Sequence, residues 1–345
     1  MEREKRQTRR GPAFEPRAFR PARWLPGAHA QSVAGRLLRR PGGMTLRRER
    51  VELPDGDFLD LDFTPSAQDA APVVLLLHGL EGSSRRGYAF NAYRELEQRG
   101  MGVVGLNFRG CSGEPNRLPR SYHSGDTGDL RFVLDHLRDR FPSSPFGLVG
   151  FSLGGNVLLK FLGEQGDDLA AGMRAAVAIS VPFDLAACAD ALAATPMGRF
   201  YTRHFIKALT AKLEAKSGVL DGHVDRTRAR EARTFRAFDD AVTAPLHGFA
   251  DAADYYMKSS SMHYLEGIRV PTLLLQAEDD PFLPPDALPR ARIASNPWLL
   301  PAFTRHGGHV GFIEGPPWRR RYWVEEQAAR FLAGRFRLDG PERMA

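Results

Sequence analysis

The sequence predicts an α/β fold: a mostly parallel central sheet flanked by helices and interrupted by one helical insertion. Three observations carry this. Apolar runs of strand length alternate with amphipathic stretches of helix length from about residue 73 onward. The pentapeptide Gly150-Phe151-Ser152-Leu153-Gly154 lies where one such run gives way to a helix-like stretch. The alternation then lapses between about residues 183 and 262, which are helix-like and contain no apolar strand run.

Taken in order, residues 1–16 read as a disordered basic tail. Residues 17–41 are expected to wrap the domain, docking Phe19, Trp24, Val33, Leu37 and Leu38. Strands near 45–52 and 58–64 form a hairpin about the turn Asp55-Gly56. Strand 73–77 is followed by a helix near 85–98, whose Tyr88, Ala89, Ala92, Tyr93 and Leu96 share one face and which Gly100 closes. Strand 103–108, a long loop through Asn116 and a helix near 126–140 lead to strand 146–150. Strands 175–180, 272–276 and 299–304 follow, then a last helix near 318–334. The boundaries are therefore a core over 17–182 and 263–345, with 183–262 as a helical cap over the pocket.

Composition agrees. The 345 residues suffice for a large α/β domain with an insertion, and 43% hydrophobic content is ordinary for a soluble protein. No apolar run approaches the roughly 20 residues of a membrane span. The N-terminus is charged and lacks the apolar region of a secretory signal. Two cysteines, Cys111 and Cys188, do not make a disulfide scaffold, and a cytoplasmic location is expected. The net charge is +7, but the first 50 residues hold 14 Arg and Lys against 4 acids, so the rest of the chain is slightly acidic. A basic end is not a basic stripe, which argues against nucleic acid and leaves at most weak peripheral contact with anionic membranes. Arg319-Arg320-Arg321, beside Trp318, Tyr322 and Trp323, is expected on the outer face of the last helix.

The chemistry is read from the serine. A serine on a sharp strand-to-helix turn projects Oγ out of the sheet, and Gly150, Gly154 and Gly155 leave room for that backbone. Such a nucleophile needs a base, a group orienting the base, and donors for an oxyanion. His78-Gly79-Leu80-Glu81-Gly82 follows an apolar strand, where hydrolases with this turn place half of an oxyanion hole. The donors would be the backbone N–H groups of Leu80 and Leu153. The loop Glu278-Asp279-Asp280-Pro281-Phe282-Leu283-Pro284 supplies the acid, with Asp280 preferred to Asp279 from the D-x-x-L-P shape. Gly307-Gly308-His309-Val310-Gly311 supplies the base, His309 rather than His306, because glycines suit a tight presenting loop. His78 reads as a structural histidine, and His123 with Asp126 as a helix cap or loop brace. Glu81 either contacts the pocket or bridges to an arginine such as Arg109.

The order Ser152, Asp280, His309 is that of the α/β-hydrolases. The chain resembles that family, and more narrowly the YheT group of esterases, related to the eukaryotic ABHD1 and ABHD3 proteins. The matching segments run from Trp24-Leu25-Pro26 through HGLEGSS at His78, NFRGCSGEPNR at Asn107, SYHSGDTGDL at Ser121, GFSLGGN at Gly150, DDPFLP at Asp279 and GGHVGF at Gly307. Near the start the group usually reads N-P-H-x-Q-T, where this chain has Pro26-Gly27-Ala28-His29-Ala30-Gln31-Ser32. The resemblance implies a serine esterase or lipase needing no metal or organic cofactor, acting on a small-molecule ester or lipid. Apolar clusters in the insertion, Phe200-Tyr201, Phe205-Ile206 and Tyr255-Tyr256-Met257, suggest a pocket for short to medium acyl chains, with a monoacylglycerol among the candidate substrates. Phospholipid or thioester cleavage by the same three residues stays open, as does a non-catalytic binding role on this scaffold.

Overall fold

A computed structural model of the protein describes residues 14–170 and 172–338. Of the tail expected over 1–16, residues 1–13 lie outside the described residues. Phe14 belongs to the body, its ring edge-on to Phe331 at 5.2 Å between centroids.

Eight strands form one sheet in the order β1-β2-β4-β3-β5-β6-β7-β8. They are β1 (Arg47–Glu52), β2 (Phe58–Phe63), β3 (Val73–Leu77), β4 (Gly102–Asn107), β5 (Phe146–Phe151), β6 (Met173–Ile179), β7 (Thr272–Ala277) and β8 (Leu299–Thr304). β2 pairs antiparallel with both β1 and β4; from β4 across to β8 every pairing is parallel. Alternation along a strand sends Val74 and Leu76 to one face and Val73, Leu75 and Leu77 to the other. The first face packs on helices Gly87–Glu97 and Trp323–Phe336, the second on Gly128–Arg140 and Leu153–Gln165. With both faces covered, β3 and β5 are buried along their whole length, which is why they read as unbroken apolar runs.

The topology also fixes where a ligand can go. The chain leaves β3 for β4 on one side, then returns across β3 to β5 on the other. The carboxyl ends of β3 and β5 therefore flank a switch point, the usual crevice of open α/β sheets. The loop at His78 and the turn at Ser152 open into it.

Between β6 and β7 the chain is helical, as expected, with principal helices Leu185–Ala194, Pro196–Ala215 and Ala252–Ser259. The capping is in the sequence: Asp184, Thr195 and Asp251 accept the N–H groups of Ala187, Gly198 and Asp254, and Pro196 occupies the first turn. Ile206, Leu213, Leu220, Phe238 and Val242 give this segment a small core of its own.

Two expectations are corrected. The last helix starts at Trp323, not near 318, because Ile313–Glu314 pairs antiparallel with Arg321–Tyr322 and the intervening residues turn back. Arg319 and Arg320 are thus in that connection and Arg321 in the short strand, not on a helix face, while Trp318 is 86% exposed. Phe19, Trp24 and Leu38 pack on the body, but Val33 and Leu37 of helix Gly27–Leu38 do not dock: they face solvent. Among the described residues no helix is long and apolar enough to cross a membrane.

Candidate active site

The turn after β5 holds Ser152 at φ 52° and ψ −118°, a strained conformation for a residue with a side chain. Its neighbours must be glycine for steric reasons. A Cβ at Gly154 would lie 2.6 Å from the carbonyl oxygens of Leu77 and His78, and one at Gly150 would lie 2.5 Å from that of Gly154. The helix Leu153–Gln165 starts immediately, and β3 ends against it, so the Ser152 turn and the His78 loop are locked together.

The structure brings together Ser152, His309 and Asp280, which lie far apart in sequence. Ser152 Oγ is 2.9 Å from His309 Nε2, and His309 Nδ1 is 2.9 Å from Asp280 Oδ2 and 3.1 Å from Oδ1. Asp280 is 4% exposed and also accepts from Gln276 Nε2 (3.1 Å) and the Phe282 N–H (2.9 Å). The buried carboxylate is thereby hydrogen-bonded on both oxygens, and its geometry favours a proton on Nδ1 and a lone pair on Nε2 facing the serine. The Phe282 ring stacks on His309 at 4.2 Å between centroids and limits its tilt.

Asp279 does different work. It accepts the Gly308 N–H at 2.8 Å and contacts the exposed His306 at 3.3 Å, bracing the loop that presents His309. The same loop is tied at His309 N–H to Ser32 Oγ (2.8 Å) and at Val310 N–H to Ser180 Oγ (3.0 Å).

On the other side of Ser152, the N–H groups of Leu80 and Leu153 have no acceptor among the described residues. Their flanking groups are held: the Gly79 N–H donates to Tyr88 Oη, and the Glu81 N–H to Tyr122 Oη. Glu81 does not reach Arg109. It pairs with Lys212 at 2.9 Å and accepts from Tyr122 at 2.8 Å, whereas Arg109 is buried against Asp129, Asp57 and Asp55. His78 is fully buried; its Nδ1 contacts the Gly79 carbonyl and its Nε2 accepts the Phe108 N–H. Burial pushes its pKa down to about 3, so it is a neutral loop brace. His123 is likewise held neutral, pushed down to about 3 by burial, and its Nδ1 accepts the Gly125 N–H.

Of the apolar clusters expected to line a pocket, Tyr201 and Phe205 approach the site: their rings lie 5.0 and 6.2 Å from that of Phe282. Phe200 and Met257 are exposed, while Ile206, Tyr255 and Tyr256 pack within the insertion. Ser32, Gln276 and Phe282 were not singled out by sequence reasoning. Gln276 carried a signal, since a polar side chain ending a buried strand needs a partner.

The α/β-hydrolase fold family matches residues 72–316 of the chain. The chain belongs to the α/β-hydrolase family. This hydrolase is 40% identical over 321 residues to the YheT protein of Escherichia coli (strain K12), covering 91% of this chain and 92% of that one. It is 35% identical to a monoacylglycerol lipase of Saccharomyces cerevisiae over 84% of this chain and 64% of the yeast protein. It is 30% identical to human phospholipase ABHD3 over 86% and 74% of the two chains. An esterase of Pyrococcus furiosus superposes with a TM-score of 0.57 at 18% identity, covering 86% and 92%, a likeness of fold.

Proposed function

We propose that Ser152, His309 and Asp280 are the nucleophile, base and orienting acid of this carboxylic ester hydrolase. The observation that carries the reading is the continuous contact Ser152 Oγ–His309 Nε2, His309 Nδ1–Asp280, with Ser152 in its strained turn. Ser152 Oγ attacks the ester carbonyl carbon as His309 Nε2 takes the hydroxyl proton. Asp280 stabilises the resulting imidazolium. Leu80 and Leu153 N–H groups receive the oxyanion, each worth about 3–4 kcal/mol in the transition state. The intermediate collapses, His309 returns the proton to the departing alcohol, and an acyl-Ser152 ester remains. Water then gives a proton to His309 and adds to the acyl carbon, releasing the acid and restoring the serine.

In this reading residues 183–262 are a cap, supported by the contacts of Tyr201 and Phe205 with Phe282 and of Lys212 with Glu81. Those rings favour short to medium acyl chains, and likeness to a monoacylglycerol lipase supports monoacylglycerols as the lipid to try first. The test is Ser152→Ala: ester turnover and fluorophosphonate labelling should disappear while circular dichroism and melting stay unchanged. More than a few per cent of activity in a clean preparation overturns the assignment.

A further inference from the structure

The outer face of helix Gly27–Leu38 repeats at helical spacing: His29, Val33, Arg36 and Leu37 are exposed, as is Arg40 just past its end. The start of helix Pro196–Ala215 adds Met197, Phe200, Arg203, His204 and Lys207. Leu37 is 70% and Phe200 63% exposed, unusual for side chains of their size. The two helices are joined where His29 Nδ1 meets Tyr201 Oη at 3.0 Å. Up to Leu213 they carry one charge sign, Glu214 in the last turn being paired with Arg226 and Arg230. Residues 16–48 and 191–213 contain no acid at all. Arg48 and Arg85 are paired with Asp62 and Arg109 with Asp129, whereas Arg36, Arg40, Arg86, Arg203 and Lys207 have no carboxylate partner among the described residues. The proximity of three of them shows at His204, whose pKa is lowered by burial and by the positive charges of Arg36, Arg86 and Lys207.

The patch also adjoins the chemistry. Tyr201 stacks on Phe282, which stacks on His309, and Arg86 donates to the Glu81 carbonyl beside the Leu80 N–H. Exposed apolar side chains among unpaired cations match an interface with acyl chains below and anionic headgroups above. A nucleic acid would use the cations and leave Leu37 and Phe200 unburied. The geometry points to this face, Val33, Arg36, Leu37, Met197, Phe200 and Lys207, as a docking surface for an anionic lipid bilayer that sets the Ser152 crevice against its substrate layer. The assignment deepens the ester-hydrolase reading but is measured without it, since docking needs no turnover.

The experiment uses the full chain carrying Ser152→Ala, floated with vesicles of phosphatidylcholine alone or mixed with phosphatidylglycerol. Binding should be stronger to the mixed vesicles and should weaken with salt. Leu37→Ser with Phe200→Ser should weaken it about tenfold or more. Arg36→Gln with Lys207→Gln should remove the preference for phosphatidylglycerol, about fivefold per cation. With Ser152 restored, both double variants should hydrolyse a water-soluble p-nitrophenyl ester at the parent rate. Vesicle binding that is absent, or unchanged in both double variants, overturns the proposal. So does equal affinity for a short DNA duplex, or loss of soluble-ester turnover in the variants.

Discussion

Replacing Asp280 by Asn changes one atom and, on this geometry, the tautomer of His309. Both oxygens of Asp280 accept: the Phe282 N–H on Oδ1, Gln276 Nε2 on Oδ2, and His309 Nδ1 on both. An asparagine amide can satisfy only one side. If its oxygen faces the Phe282 N–H, its NH2 group confronts Gln276 and donates to His309 Nδ1, so the imidazole proton moves to Nε2 and faces Ser152. The base then has no lone pair for the serine proton. If the amide is flipped, its NH2 opposes the Phe282 N–H, leaving a buried donor without an acceptor. That cost disfavours the flipped amide, so the first arrangement dominates, and the expected loss in kcat is about 10⁴-fold, the size of the corresponding change in other serine hydrolases, or roughly 5.5 kcal/mol of transition-state stabilisation. Asp279→Asn keeps an oxygen for the Gly308 N–H and should cost less than about tenfold. The assay is kcat/KM on p-nitrophenyl butyrate alongside the rate of fluorophosphonate labelling, with melting curves for both variants. Reversed effects, or Asp280→Asn within tenfold of the parent, would refute the reasoning.

Three further outcomes follow from the structure. Gly154→Ala places a Cβ 2.6 Å from two backbone oxygens, so the nucleophile turn must open; activity should be lost and stability fall by about 1–3 kcal/mol, read by urea unfolding. His123, ordinarily titrating at 6.5, is pushed down to about 3, so the unfolded chain binds a proton that the folded chain refuses. Its contribution is full above pH 6.5 and is lost as pH falls toward 3, by about 1.4 kcal/mol per pH unit. His123→Asn, which keeps an acceptor for the Gly125 N–H, should flatten the acid limb of unfolding free energy against pH; an unchanged slope contradicts this. Across p-nitrophenyl esters, kcat/KM should rise from acetate toward butyrate or hexanoate, since each buried methylene is worth about 0.8 kcal/mol, and fall again for palmitate. A flat profile removes the argument for a short- to medium-chain site while leaving the role of Ser152 intact.

Much of this was legible in one dimension because it rests on local rules. A parallel sheet covered on both faces must be written as continuous apolar runs, so β3, β5 and β7 stood out, and Gly150 to Gly155 announced a turn without room for side chains. Chain order placed Ser152, Asp280 and His309 in sequence, and the loop shapes favoured Asp280 and His309 over their neighbours. The limits appear where the determining contact is distant. The start of the last helix was misplaced because Arg321–Tyr322 is captured by Ile313–Glu314, a pairing that no window around residue 318 contains. Val33 and Leu37 looked like docking residues because hydrophobicity alone does not say whether a partner exists. For Glu81 a pocket contact and a bridge to an arginine were equally readable, and only packing of the insertion delivers Lys212 and assigns Arg109 to Asp129 instead. The sequence by itself determined the residue types and the order in which the chain presents them. The tertiary structure decided which of them meet, because a hydrogen bond such as Ser152 to His309 depends on distance in space, which strand order and helix packing set.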